Sequence, residues 1–138
     1  MERRTYLATL GGATLAGGAG CTVFGEQEYD IGMTANGFTP TEFEVSVGET
    51  VQWRNTSSRG HTVTAYENAI PEGAEYFASG GYESEQAARE SWQTDLGGNI
   101  EVQGTYSHTF EIPGEHHYVC IPHERGGMTG VIVVTDGE

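Results

Sequence analysis

From Tyr29 onward the chain runs in short stretches of alternating side chains, and a turn residue ends each one before it reaches helical length. Tyr29, Ile31 and Met33 alternate with polar or small residues, and Asn36-Gly37 turns. Phe43, Val45 and Val47 alternate, Gly48-Glu49 turns, and Val51 and Trp53 continue on the next stretch. A period of two sends every second side chain to one face, so each run buries one face of a strand and leaves the other in water. Residues 61–66 read the same way. Tyr106, His108, Phe110 and Ile112 alternate, Pro113-Gly114 turns, residues 115–120 return, and Gly130 leads into the buried closing run Val131-Ile132-Val133-Val134. About seven short strands with turns between them predict an antiparallel β-sandwich.

Composition agrees: 21 Gly against 4 Pro suits many tight turns, and 138 residues suffice for one core. Ser84 to Trp92 is the one helical candidate, with Ser84 as cap, Glu85 in the first turn and Ala87-Ala88 inside. Residues 67–82 read as a surface excursion and 94–104 as a loop. Twenty acids face six Arg and no Lys, a net charge of −14. That excludes a nucleic-acid binder working by phosphate neutralisation. Self-repulsion at this charge density weakens a compact state in dilute buffer, whereas at about 1 M salt the screening length is only ~3 Å. The surface therefore predicts a salt-loving host.

Residues 1–20 have a different grammar. Arg3-Arg4 precedes a weakly apolar, Gly-rich stretch too short to span a bilayer and ends in Gly18-Ala19-Gly20 before Cys21. The arginine pair resembles a twin-arginine export signal, and the small residues before Cys21 resemble a lipobox whose Cys receives a lipid and becomes the mature N-terminus. The expected organisation is a signal peptide over 1–20, a lipid-anchored tether over 21–28 and a folded domain over 29–138. Cleavage before Cys21 leaves nineteen acids against four Arg, a net charge of −15. Cys120 is then the one cysteine of the domain, and a thiol exported without a partner calls for an occupant.

The stretch from Tyr118 to Met128 supplies one. Cys120-x2-His123-x4-Met128 places a soft thiolate, an imidazole and a thioether on one short loop, a donor set that suits copper once a second imidazole completes it. Pro122 stiffens the loop, and Gly126-Gly127 let it turn back. His61, between a polar loop and an extended run, is the best candidate for the second imidazole. Structural zinc generally wants two or more Cys or a His pair at its own spacing, and a Cys–His nucleophile pair leaves Met128 without a role. His116 and His108 alternate with aromatics and read as packed core histidines, and Met33 as core.

These residues, with Gly60-His61-Thr62-Val63 upstream, resemble the plastocyanin-like blue copper proteins of the cupredoxin family. Within them the chain looks most like the halocyanins, membrane-anchored members from salt-loving archaea. The resemblance extends through Gly37-Phe38-Thr39-Pro40, Val51-Gln52-Trp53 and Gly130-Val131. It includes an insert, Glu72 to Tyr76 and Ser84 to Arg89, that plastocyanins proper lack. It implies a Greek-key cupredoxin sandwich of seven to eight strands, with the one short helix in the insert. It also implies copper held by His61, Cys120, His123 and Met128, with the backbone N–H of Thr62 directed at the Cys120 sulfur. The function implied is one-electron transfer by a monomer on the outer face of the cell membrane, anchored through Cys21, with membrane-associated or soluble redox proteins as partners. Electrons would leave through His123, whose ring edge in the family shows within a small apolar patch, here Gly60, Ile121, Pro122, Gly126 and Gly127, which the acidic composition predicts to be ringed by acids. A copper oxidase or reductase would relay electrons through a His beside the ligand Cys. Val119 and Ile121 stand there instead, so an enzyme is not expected.

Overall fold

The structure is a computed structural model that describes residues 29–136. The expected leader over 1–20 and the whole of the tether over 21–28, Cys21 included, lie outside the described residues. Among the described residues the strands are β1 (Ile31–Met33), β2 (Phe38–Thr39), β3 (Glu42–Ser46), β4 (Glu49–Asn55), β5 (Thr64–Ala65), β6 (Thr105–Phe110), β7 (Gly114–Val119) and β8 (Thr129–Thr135), with one α-helix, α1 (Glu85–Asp95). They form two four-stranded sheets, ordered β2-β1-β4-β6 and β3-β8-β7-β5. The sandwich is the architecture expected from the alternating runs, but its pairing is mixed. β1 runs parallel to β4 and β3 parallel to β8, while the other pairs are antiparallel.

Alternation decides what enters the core. β4 turns Val51, Trp53 and Asn55 inward, and β8 turns Gly130, Ile132 and Val134 inward. Trp53 is fully buried, with the rings of Tyr118 at 5.4 Å, Tyr106 at 5.5 Å and Phe77 at 6.3 Å. Phe77 corrects the reading of residues 67–82 as a surface excursion, and residues 96–104 form the expected loop but send Ile100 inward. Both belong to the core, because the long connection between β5 and β6 hydrogen-bonds back alongside residues 61–65. Val47, expected inside, lies beyond the end of β3 and is exposed.

Ser84 caps α1 as expected, its hydroxyl accepting the Ala87 N–H at 3.1 Å, and the helix runs three residues past Trp92. Register then gathers the chain ends that matter. Val119 at the end of β7 faces Thr129 at the start of β8 on one side and Thr64 of β5 on the other. The loop after β7, the residues before β5 and the start of β8 thus share one end of the sandwich.

Candidate metal centre

At that end β4 finishes on an inward-facing amide, Asn55, which is 0% exposed. An amide buried there is costly unless its atoms are paired, and these are. Nδ2 donates to the Arg59 carbonyl at 2.5 Å and the Ile100 carbonyl at 2.9 Å. Oδ1 accepts from the Ser57 N–H at 2.9 Å and the Ser57 hydroxyl at 2.8 Å. These bonds curl residues 55–60 into a tight loop that delivers His61. Its backbone exchanges two hydrogen bonds with Ile100, at 3.3 and 2.7 Å. A Cβ at Gly60 would meet the side-chain amide of Asn99, so a larger residue there would have to displace that exposed side chain.

The second arm is the loop after β7. Cys120 precedes a 3-10 segment over Ile121–Gly126, with Pro122 in its first turn. The Cys120 carbonyl accepts the His123 N–H at 3.1 Å, and the Cys120 N–H donates to the Met128 carbonyl at 3.0 Å. Gly127 turns the chain back at φ 87°, a left-handed conformation that favours glycine, whereas Gly126 has no such requirement. Met128 returns to the core almost fully buried.

The two arms bring three of the four expected donors together. His61 Nδ1 and His123 Nδ1 each lie 3.4 Å from Cys120 Sγ, and the three atoms sit within 4.8 Å of one another. Bonds of about 2.0–2.3 Å from N and S donors to one trigonal centre would hold those donors about 3.5–3.8 Å apart. The two sulfur–nitrogen separations are within a few tenths of an ångström of that spacing, and the two ring nitrogens lie within 4.8 Å of each other. Met128 is buried beside it, its backbone tied to Cys120 and His123. Two imidazoles, one thiolate and a thioether match copper rather than zinc or a hard cation.

The surroundings prepare the donors. His61 Nε2 lies 2.9 Å from Ser57 Oγ, whose own proton goes to Asn55 Oδ1. With Nε2–H committed outward, Nδ1 keeps its lone pair for the metal. Burial, with His123 adding to it, lowers the His61 pKa to about 4, and burial followed by the Arg59 charge lowers that of His123. Both rings are neutral at pH 7. Burial pushes the Cys120 thiol up, and the Thr62 N–H, 3.4 Å from Sγ, opposes that shift. This is the contact expected of Thr62. Its hydroxyl also accepts the Ile121 N–H at 2.9 Å, tying the two arms together.

His116 is a core histidine as expected, 2% exposed, with Nε2 2.9 Å from the Ile112 carbonyl. His108 stacks on Phe77, and Met33 is buried in the core. Pro122, Gly126 and Gly127 are exposed and His123 half-buried, in keeping with an apolar opening at this end. Cationic groups stand at this opening. Arg59 Nη1 stands 3.5 Å from His123 Nε2, and Arg125 is exposed on the loop. Glu124 is taken up by Arg89 at 2.8 Å. The supporting roles of Ser57, Arg59, Arg89 and Ile100 carry no local signature. Asn55 does, as the polar residue that continues the inward series Val51, Trp53.

The family model described as copper binding proteins, plastocyanin/azurin family, matches residues 26–135. The chloroplastic plastocyanin of Hordeum vulgare is 30% identical over 132 residues, covering 93% of this chain and 72% of that protein. The plastocyanin of Vicia faba is 32% identical over 99 residues, covering 70% and 86%. Among solved structures, oxidised plastocyanin from Dryopteris crassirhizoma superposes with a TM-score of 0.53 at 18% identity, covering 76% of this chain and 98% of that one. Pseudoazurin from Methylobacterium extorquens gives 0.55 at 20% identity, covering 78% and 75%. The two structural likenesses show the fold.

Proposed function

The chain belongs to the plastocyanin/azurin family of copper-binding proteins, and from that membership we propose that it is a halocyanin-type electron carrier working at the outer face of the cell membrane. In this reading a twin-arginine leader over residues 1–20 exports the chain. A lipid on Cys21 then anchors it, and the folded monomer exchanges electrons with membrane-associated or soluble redox proteins. What supports the reading most is the meeting of His61 Nδ1, Cys120 Sγ and His123 Nδ1 within 4.8 Å beside the buried Met128.

His61, Cys120, His123 and Met128 would hold the copper, which supplies a one-electron Cu(I)/Cu(II) couple. The protein's part is to keep the donors still. Asn55 and Ser57 fix the His61 ring, the Thr62 N–H stabilises charge on the Cys120 sulfur, and the backbone bonds between Cys120, His123 and Met128 hold the loop. A site that changes little between oxidation states has little to reorganise when an electron moves. His123, half-buried next to exposed Pro122, Gly126 and Gly127, is the exit for the electron. Val119 and Ile121 on either side of Cys120 favour a carrier over an enzyme with a second copper centre.

The test is the absorption and paramagnetic-resonance spectrum of the copper-loaded protein and of Cys120→Ser. An intense blue band from the thiolate-to-copper transition is expected in the first and not in the second. Native-like blue absorption in Cys120→Ser overturns the assignment. Anchoring is tested by intact mass of the membrane fraction. A chain that retains residues 1–20, or that carries no lipid on Cys21, refutes that part.

A further inference from the structure

The helix α1 buries one small residue, Ala88, against the sandwich. Ala87 and Trp92 are half-buried beside it, and polar contacts add to this packing. Arg89 is their centre. Its Nε donates to Glu85 at 2.8 Å, and its Nη1 and Nη2 reach the two carboxylate oxygens of Glu124 at 2.8 and 3.1 Å. Tyr66, next to β5, donates its hydroxyl to Glu124 Oε2 at 2.8 Å, and the guanidinium lies 5.9 Å from the centre of its ring. Glu67 and Glu85 lock the base of the helix, each carboxylate accepting the other's backbone N–H at 2.9 and 3.1 Å.

Glu124 is the residue that follows His123. Its carbonyl accepts the Gly127 N–H that closes the loop at 2.9 Å, while its side chain is held from outside the loop on two sides. We propose that Arg89 and Tyr66, acting through Glu124, are positioning residues that clamp the 120–128 loop and keep His123 directed at Cys120 whether or not metal is bound. A planar guanidinium gripping a carboxylate with two parallel bonds fixes direction as well as distance, which a lysine cannot do. The three groups are partly buried, so salt screens the pair less than it screens the open surface. The consequence for metal retention rests on the copper reading above; the clamp itself does not.

Amide hydrogen exchange in the metal-free full domain tests the clamp. Arg89→Met should speed exchange of the Gly127 and Met128 amides about ten-fold, with Arg89→Lys recovering part of it and the Ile132 amide of β8 unchanged. Tyr66→Phe, which leaves the helix and its ion pair in place, should speed the same two amides by a smaller factor. Loop amides that exchange at the wild-type rate in Arg89→Met and Tyr66→Phe overturn the proposal. So does an equal acceleration at Ile132, which would mean general loosening. In the copper-loaded protein, transfer of metal to a chelator should accelerate in the order wild type, Arg89→Lys, Arg89→Met; equal rates in variants whose loops have loosened overturn the positioning role. A wild-type protein that takes up no blue copper would be seen before any variant is compared, and would refute the copper reading without touching the exchange result.

Discussion

Asn55→Ala removes the amide that shapes the loop carrying His61, and its cost follows from the contacts it makes. The side chain is fully buried and takes part in four hydrogen bonds, two to carbonyls and two from Ser57. A net hydrogen bond is worth about 1 kcal/mol, and a buried group left unpaired costs more. The Ser57 and Arg59 groups lie near the surface, where water can replace part of what they lose. The Ile100 carbonyl keeps a longer bond from the His61 N–H at 3.3 Å. The balance is about 2–3 kcal/mol, which for a domain of this size lowers the thermal midpoint of the metal-free form by roughly 8–12 °C. Ser57→Ala, which removes only the hydroxyl between Asn55 and His61 Nε2, should cost about 1 kcal/mol. Both variants free the His61 ring to turn, so copper affinity should fall by about 10–100-fold. The gap between the metal-free and copper-loaded midpoints should then narrow. Urea and thermal unfolding at fixed salt, with and without copper, measure all of this. A cost below about 0.5 kcal/mol for Asn55→Ala, or an unchanged copper affinity, would mean that the loop holds His61 without this network.

Met128→Leu nearly conserves volume in a buried site, so the fold should lose less than about 1.5 kcal/mol. The blue band should persist and the reduction potential rise, because the weak axial sulfur is gone; a potential equal to wild type would argue that Met128 is not a ligand. Gly126→Glu places a charged side chain in open space beside the proposed exit without backbone strain. It should slow electron self-exchange and leave the spectrum unchanged; an unaltered self-exchange rate would place the exit elsewhere. His108 and His116 are held below the ordinary histidine pKa, chiefly by burial. The unfolded chain therefore binds the extra protons, and metal-free stability should fall as pH drops from about 6.5, by up to about 1.4 kcal/mol per pH unit for each ring. His116→Phe should reduce that slope, and an identical pH profile in the variant would contradict the assignment. The thermal midpoint of the metal-free form should rise with added salt from low ionic strength, since screening relieves repulsion at a net charge of −14; a midpoint flat from low to molar salt would contradict it.

What the sequence determined by itself was whatever neighbours along the chain decide. Inward and outward faces follow from a period of two, so Val51 and Trp53 were legible as core, whereas Val131 to Val134 read as one buried run and the sandwich buries only Ile132 and Val134 of it. The capped start of α1 follows from Ser84 and Glu85. Cys120, His123 and Met128 fall within nine residues, so one loop brings them together in any fold that turns at Gly127. His61 was named from its place between a loop and an extended run, with no local reason for its ring to meet a sulfur 59 residues away. That meeting is a product of register, with β5 alongside β7 and β7 alongside β8. The parallel pairings of β1 with β4 and β3 with β8, and the return of Phe77 and Ile100 to the core, are decided the same way. So are the bond from Asn55 to Ile100, the clamp from Arg89 to Glu124 and the approach of Arg59 to His123. Each joins residues between 35 and 64 positions apart. No periodicity or spacing encodes such a pair, because closing a long loop costs entropy that packing of the whole domain, and not the pair itself, must offset.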